Sequence, residues 1–166
     1  MQTRGNACLE IRLAKASETN RIADLIYDSF VEYRTLYTEE GFAATTTNKE
    51  EIKRRINGKM VWVMLCDEVI AGTISILPVK DGLFIKSVAV APIARRRGLG
   101  RALMRHAEKI AEERHAKYLE LNTTEFLHEA IGLYEAFGFD KFGYEDLYGT
   151  KLIKMKKILD KKSATE

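Results

Sequence analysis

The segment from residue 83 to residue 121 constrains the fold more than any other part of this sequence. Leu83–Val90 is predicted to form a strand that ends before Pro92, and Tyr118–Leu121 is predicted to form a second, short strand. Between them, apolar residues recur on one helical face from Leu99 to Arg114. A helix of this length joins two strands by a crossover, so we predict that the two strands are parallel neighbours in one sheet.

The remaining elements surround this unit with antiparallel strands and further helices. Turn residues at Asp67-Glu68 and Asp81-Gly82 separate three consecutive strands, and Gly149 separates two closing strands. The predicted order is β-α-α-β-β-β-α-β-α-β-β, an α/β fold with a mixed, mostly antiparallel sheet. No repeat, linker or low-complexity stretch interrupts it, so we predict a single domain over residues 1–166. The other predicted strands are Leu9–Leu13, Met60–Leu65, Val69–Leu77, Phe142–Tyr148 and Leu152–Ile158, and the other helices run from Ser17 to Tyr33, Thr47 to Gly58 and Thr124 to Ala136.

The composition excludes several classes of protein. Hydrophobic residues make up 46% and charged residues 31% of the chain, which is typical of a globular protein. Two cysteines are too few for a disulfide framework, and no Cys/His cluster forms a metal motif, so we expect no metal site. No apolar run reaches the roughly 18 residues of a membrane span, and no secretory signal is visible. We therefore expect no membrane partner and a cytoplasmic location.

Lysines concentrate near the C-terminus, which raises the alternative of a nucleic-acid-binding surface. The formal net charge of +3 is too weak to support that alternative by itself. The lysines also lack aromatic interleaving beyond Tyr148, whereas surfaces for single-stranded nucleic acid combine the two residue types. We therefore predict no nucleic-acid partner and interpret the lysines as protection of an edge strand against aggregation. They are Lys151, Lys154, Lys156, Lys157, Lys161 and Lys162.

The predicted long helix breaks the usual rule for charges at helix ends. Helix N-termini carry partial positive charge and favour acidic residues in the first turn. Here arginines gather at the N-terminal end, and no acidic residue lies between Asp81 and Glu108. Because these guanidinium groups repel one another, the pattern indicates a bound anion. The arginine cluster, as we call it below, consists of Arg95, Arg96, Arg97, Arg101 and Arg105.

Two glycines complete the candidate anion site. Gly98 and Gly100 flank Leu99 at the strand-to-helix turn, where backbone N–H groups without a nearby Cβ can approach a ligand. We interpret this turn as a phosphate cradle rather than a flexible, solvated basic loop. Leu103 stands where a dinucleotide-binding loop has its third glycine, and no Walker-type motif is present. A dinucleotide or a nucleoside triphosphate is therefore not the expected ligand.

Two blocks of the sequence resemble one known family. Val88–Leu103, VAVAPIARRRGLGRAL, resembles the pyrophosphate-binding motif Q/R-x-x-G-x-G/A of the GNAT superfamily of N-acetyltransferases. Ala130–Phe139, AIGLYEAFGF, is similar to the A-x-x-L-Y-x-x-x-G-F stretch of that family. The spacing between the blocks and the order of elements also match. The resemblance implies that the fourth and fifth strands are parallel and splay apart, with helices on both faces of the sheet.

The resemblance implies an enzyme that moves an acetyl group from acetyl-CoA directly to a primary amine of a small molecule or peptide. The main chain of Val88, Ala89 and Val90 is expected to bind the pantetheine arm. No cofactor other than acetyl-CoA, the acyl donor, is implied. Further contacts with it are expected from Arg95, Arg96, Arg97, Gly98, Leu99, Gly100, Arg101, Ala102, Asn122 and Thr123.

The resemblance also assigns one catalytic residue. Tyr134 matches the family tyrosine whose hydroxyl reaches the CoA sulfur, which implies that it protonates the leaving thiolate as general acid. Many family members carry a carboxylate on the fourth strand, but Phe84 stands at that position. The general base is therefore unassigned. The candidate residues for the acceptor site are Glu32, Tyr33, Arg34 and His128.

One alternative function is a non-catalytic acyl-CoA-binding sensor or docking module. Phe84 favours this alternative, because a carboxylate is common at its position in the family, whereas Tyr134 argues against it. The identity of the amine acceptor cannot be read from these residues. A homodimer is one option for the assembly, since dimers are common in the family that the sequence resembles.

Overall fold

A computed structural model of the chain describes residues 10–159, which form one sheet flanked by helices. The strands are β1 (Glu10–Leu13), β2 (Val61–Cys66), β3 (Val69–Val79), β4 (Gly82–Val90), β5 (Tyr118–Thr124), β6 (Asp140–Leu147) and β7 (Thr150–Ile158). The helices are α1 (Thr19–Phe30), α2 (Glu39–Thr45), α3 (Lys49–Asn57), α4 (Leu99–Glu113) and α5 (His128–Ala136).

The sheet has seven strands in the order β1-β2-β3-β4-β5-β7-β6. The pair β4 and β5 is parallel, and every other neighbouring pair of the described strands is antiparallel. α4 connects the parallel pair, so the predicted crossover and the mixed, mostly antiparallel sheet are confirmed.

The parallel pairing of β4 and β5 is short and ends in a gap. It runs from Gly82 opposite Tyr118 to Ile85 opposite Leu121 and then stops, although both strands continue. On the other side of β4, the register with β3 shifts because β4 contains one extra residue, a β-bulge. Ser87 lies in this bulge with φ of +54°. The predicted splay of the two strands is therefore present, and we call it the β4–β5 gap.

Apolar side chains cover both faces of the sheet. In β2, Trp62 and Met64 belong to one core cluster, and Val61 and Val63 belong to the other. The first cluster packs against α4 and α5, and the second packs against α1 and α3. Strands buried on both faces lose the hydrophobic alternation, which explains the continuous apolar sequence of β2.

The structure adds a helix that the predicted order lacked. Three helices precede β2, because the short α2 follows the end of the first helical region. α1 ends at Phe30 and continues as a 3-10 segment over Val31–Leu36, so Tyr33 does not lie on a regular α-helix. The N-cap of α2 is Thr38, whose side-chain oxygen accepts a hydrogen bond from the Gly41 N–H at 2.9 Å. A helix of seven residues has too little periodicity to stand out in the sequence.

Two predicted helix starts differ from the structure. The helix predicted from Thr124 begins at His128, because Thr124 still belongs to β5 and pairs with Leu152. The N-cap of α3 is Asn48 rather than Thr47, and its Oδ1 accepts a hydrogen bond from the Glu51 N–H at 2.8 Å. Leu9 of the first predicted strand lies outside the described residues.

The C-terminal lysines have aromatic neighbours in space, although no aromatic residue beyond Tyr148 is interleaved with them in the sequence. The Lys151 Nζ lies 4.2 Å from the ring centre of Tyr144, and the Lys154 and Lys156 ammonium groups lie 5.1 and 4.8 Å from that of Phe142. These rings lie on the adjacent strand β6, so strand pairing rather than sequence order brings them to the lysines. The two edge strands of the sheet are β1 and β6. The described lysines lie on β7, between β5 and β6, so the interpretation that they protect an edge strand is wrong. Lys161 and Lys162 lie outside the described residues.

Among residues 10–159, no helix is both long and apolar enough to cross a membrane. In the same part of the chain, no group of three or more His, Cys, Asp and Glu side chains could hold a metal ion.

A carboxylate in the first turn of α3 makes the fold sensitive to acid. Glu51 accepts hydrogen bonds from Arg54 at 2.9 and 2.8 Å and from Arg55 at 2.9 Å. The Arg54 hydrogen bonds, together with Arg55, lower the pKa of Glu51 to about 2. Because the folded state favours the ionised form, this stabilisation is present above about pH 4.5 and is lost as the pH falls toward 2.

We predict that Glu51→Gln lowers the free energy of unfolding at pH 7 and that the difference from the wild type shrinks between about pH 4.5 and 2. Urea denaturation at a series of pH values measures this difference. Glu50→Gln is the matched control, because Glu50 is exposed in the same turn and makes no ion pair with the described residues. An equal loss in both variants at pH 7 would contradict the prediction.

Candidate active site

The start of α4 presents unpaired backbone N–H groups. Its N-cap is Gly98, in the left-handed conformation with φ of +78°, which glycine adopts without steric cost. The first backbone hydrogen bond of the helix runs from the Ala102 N–H to the Gly98 carbonyl at 3.1 Å. The N–H groups ahead of Ala102 have no carbonyl within the helix to bond. No acidic residue lies in the first turn, so the positive end of the helix is not neutralised locally.

Arginine side chains surround this helix start. Arg96, Arg97 and Arg101 are exposed and form no ion pair with the described carboxylates. The Arg101 guanidinium lies 5.9 Å from the ring centre of Phe137. Arg96 has a φ of +66°, an uncommon conformation for a residue other than glycine. The combination of free N–H groups, glycine and unpaired guanidinium groups suits a phosphate or pyrophosphate group.

Arg95 differs from the rest of the arginine cluster. Its guanidinium forms an ion pair with Glu32 at 2.8 Å and donates a hydrogen bond to the Ser29 carbonyl at 3.1 Å. These contacts fasten the loop before α4 to the end of α1. Arg95 and Glu32 were predicted for separate sites, one for the cofactor and one for the acceptor. In the structure each is the partner of the other, and the binding role of either stays a prediction.

α5 packs against the start of α4 and carries the candidate catalytic tyrosine. An added Cβ at Gly100 would lie 3.1 Å from the Leu133 Cδ2, so this glycine allows the two helices to approach closely. The next residue, Tyr134, is 8% exposed and shares a core cluster with Ile85 and Leu121. Those two residues are the last pair before the β4–β5 gap. The cradle and Tyr134 therefore belong to one region of the molecule.

Burial determines the protonation state of Tyr134. Removal from water, with a smaller effect from the neighbouring Tyr37, raises the pKa of Tyr134 to about 12. Its ring lies 6.2 Å from that of Phe139, measured between centres. The hydroxyl therefore remains protonated at neutral and moderately alkaline pH and can donate a proton.

Buried polar atoms without partners line the β5 side of the gap. The Asn122 Oδ1 and the Thr124 Oγ1 are buried and have no hydrogen-bond partner among the described residues. They occupy alternate positions on β5, beyond its last pair with β4, and therefore lie on one face of the strand. Thr123 lies on the opposite face, with Leu119 and Leu121. The predicted pair Asn122 and Thr123 is thus divided between the two faces.

Sequence reasoning missed two residues near this side of the gap. The Tyr37 hydroxyl is a further buried atom without a partner, and its ring lies 4.9 Å from that of Phe126, edge to face. The sequence predicts Thr124 at the start of a helix, whereas it belongs to β5. The alternation of buried positions in β5 continues to Thr123, and Thr124 is buried as well. Polar side chains at these positions do not contribute to an apolar pattern, so the sequence does not predict their burial.

The acceptor-site candidates are only partly brought together. The half-buried Tyr33 stacks on Phe126, with ring centres 6.3 Å apart, and burial raises the pKa of Tyr33. Arg34 instead donates a hydrogen bond to the Tyr27 hydroxyl at 3.3 Å, and its guanidinium lies 5.1 Å from the ring centre of Phe42. His128 is exposed as the first residue of α5. Through Phe126, ring contacts connect Tyr33 to Tyr37.

A carboxylate lies on the strand next to Phe84. Phe84 of β4 is opposite Glu120 of β5 in the parallel register. Glu120 is half-buried and, two residues before Asn122, lies on the same face of β5. No sequence pattern singles out Glu120, because strand register alone brings it beside Phe84, where the family that the sequence resembles often has a carboxylate.

The fold and part of the sequence are shared with known acetyltransferases. The chain is 34% identical over 88 residues to N-acetyltransferase family 8 member 3 of Rattus norvegicus, a match that covers 49% of this chain but only 39% of the rat protein. It is 30% identical over 129 residues to the uncharacterized N-acetyltransferase YjgM of Escherichia coli strain K12, covering 74% of this chain and 77% of that protein.

The structural comparison agrees with the sequence comparison. The crystal structure of PaiA N-acetyltransferase from Thermoplasma acidophilum in complex with coenzyme A matches with a TM-score of 0.77 at 19% identity, over 90% of this chain and 98% of that chain. This likeness concerns the fold. The model of the acetyltransferase (GNAT) family matches residues 22–139, and this chain therefore belongs to that family.

Proposed function

We propose that the protein transfers the acetyl group of acetyl-CoA directly to a primary amine of a small molecule or peptide. The observation that carries the proposal is the position of the uncompensated positive helix start beside a gap in the sheet, with a buried, protonated tyrosine in the same region. An anion site, an extended groove and a proton donor are the parts that this chemistry needs.

The donor's pyrophosphate fits the start of α4. The N–H groups ahead of Ala102 and the exposed side chains of Arg96, Arg97 and Arg101 would hold it by charge-assisted hydrogen bonds. The gap leaves the main chain of Val88–Val90 without a β5 partner, so it can bind the amide groups of the pantetheine arm as an added strand would.

The reaction replaces the C–S bond of the thioester by a C–N bond, while the nitrogen loses one proton and the sulfur gains one. The amine nitrogen bonds to the thioester carbonyl carbon, and the C–S bond then breaks. Tyr134 donates its proton to the departing sulfur, and a backbone N–H of β4 at the bulge donates to the oxygen that becomes negative. The amine nitrogen loses a proton, for which Glu120 is a candidate acceptor because it lies on the Asn122 face of β5.

A second candidate function is a non-catalytic sensor that binds acyl-CoA. Phe84 favours it, because no carboxylate occupies that position of β4. The release of free thiol from acetyl-CoA in the presence of a panel of amines distinguishes the two functions. An enzyme releases thiol in proportion to acetylated amine, whereas a sensor binds CoA and releases none.

We predict that Arg96→Ala weakens CoA binding by about 1.5–3 kcal/mol, or roughly 10- to 150-fold, because a charge-assisted hydrogen bond to phosphate is lost. The melting temperature of the free protein should stay constant or rise, since repulsion at the helix start decreases. Calorimetry measures the affinity, and Arg105→Ala is the control because Arg105 is exposed one turn farther along α4. Normal CoA affinity in the Arg96 variant would show that the Arg96 side chain does not bind a phosphate of CoA.

We predict that Tyr134→Phe lowers kcat about a hundredfold and leaves CoA affinity unchanged, because only the acidic hydroxyl is removed. Steady-state kinetics with a good amine acceptor measures the effect. The control is Tyr118→Phe, which removes a hydroxyl that donates to the Lys80 carbonyl at 2.8 Å, at the opposite end of the β4–β5 pairing. A fall in kcat of less than about threefold for Tyr134→Phe would show that another group or water supplies the proton.

A further inference from the structure

A buried cation lies beneath the bulge of β4. Arg55 of α3 is 4% exposed, which is rare for an arginine unless its charge is paired. Its Nε donates to Glu51 at 2.9 Å, and its Nη1 donates to the hydroxyls of Ser75 and Ser87 at 3.2 Å each. Ser75 belongs to β3 and Ser87 to β4. One guanidinium thus connects a helix to both strands that flank the bulge.

Ser87 adopts an unfavourable backbone conformation. Its φ of +54° lies in the left-handed region, where a residue other than glycine costs on the order of 1–3 kcal/mol. Such strain persists only where surrounding contacts fix the residue. Here the contacts are the hydrogen bond from Arg55 and the Thr47 hydroxyl, whose oxygen lies 3.3 Å from that of Ser87. Both reach Ser87 from the α3 side of the sheet.

The bulge and the β4–β5 gap coincide in the chain. Thr73 of β3 faces Ala89, whereas Ser75 faces Lys86, so the extra residue lies between Lys86 and Ala89. The last pair of β4 and β5 is Ile85 with Leu121, immediately before that extra residue. Whatever fixes Ser87 therefore also fixes the direction in which β4 leaves β5.

We propose that Arg55 is a positioning residue, which sets the geometry of the β4–β5 gap through its hydrogen bond to Ser87. The proposal rests on the acetyl transfer proposed above, because the gap is where the thioester would lie. Arg55 lies in α3, on the opposite face of the sheet from α4 and α5, and it reaches β4 through Ser87. A displacement of about 1 Å at the reacting atoms can lower a rate a hundredfold.

The first test distinguishes the effect of the Arg55 contact with Ser87 from that of its contact with Ser75. Arg55→Met and Ser87→Ala should each lower kcat about 10- to 100-fold, with the CoA dissociation constant within about threefold of the wild type, since the cradle is intact. Ser75→Ala is the matched control: it removes the second serine partner of the same guanidinium and should leave kcat within about twofold. Compared with Arg55→Met, Arg55→Lys should regain thermal stability but should not regain kcat. The reason is that lysine keeps the positive charge but lacks the planar guanidinium group.

A double variant tests whether the two residues act together. Arg55→Met should lower kcat no further in a Ser87→Ala background, and it should keep its full effect in a Ser75→Ala background. If Arg55→Met does not fold, Arg55→Lys in the same two backgrounds provides the comparison. Independent, additive effects of Arg55 and Ser87, or an equal loss from Ser75→Ala, would overturn the proposal.

A second measurement does not depend on catalysis. Amide hydrogen exchange over residues 86–90, without acyl donor, should be faster in Ser87→Ala and Arg55→Met than in the wild type, and unchanged in Ser75→Ala. If the wild type acetylates none of the amines, the proposed function fails, and the exchange rates still decide the role of Arg55. Wild-type exchange in both Ser87→Ala and Arg55→Met would overturn that role even in an active enzyme.

Discussion

The β-bulge in β4 is the constraint on which the rest of the site depends. One extra residue ends the pairing with β5 after Ile85 and leaves the later part of β4 without a partner on that side. Unpaired main-chain groups inside a sheet are costly unless something else binds them. The unpaired groups of β4 lie in the middle of the sheet, shortly before the chain enters α4. The gap is therefore a local departure from regular pairing that a functional requirement explains better than stability does.

Electrostatic repulsion at the start of α4 is a second unfavourable contribution, which packing offsets. Exposed arginines repel one another and the positive end of the helix dipole. The helix nevertheless stays in place because Leu103, Met104 and Ala107 are fully buried against the sheet. Burying such side chains contributes about 1.5–3 kcal/mol for each large residue, which exceeds the repulsion between exposed charges. Hydrophobic contacts thus hold an electrostatically unfavourable surface in place.

The two faces of the sheet contribute different groups to the region of the β4–β5 gap. α4 and α5 supply the positive helix start and Tyr134 from one face. The region from α1 to α3 supplies Arg55 beneath the bulge from the other face, and Tyr37 of the same region packs against Phe126. Because the gap interrupts the sheet between them, groups from both faces can meet there. The ion pair of Arg95 with Glu32 connects the two regions across the loop before α4.

The crossover, the candidate cradle and the family resemblance could all be predicted from the amino-acid sequence. Each depends on neighbouring residues: apolar spacing in α4, the glycines beside the arginines, and the motif around Tyr134. The contacts between distant residues could not be predicted in this way. The short α2, the Arg95 pair, the orphaned Asn122 and Thr124 oxygens and the Arg55 contact with Ser87 arise from strand register and helix packing. Those depend on contacts between residues far apart in the chain, which local patterns do not encode.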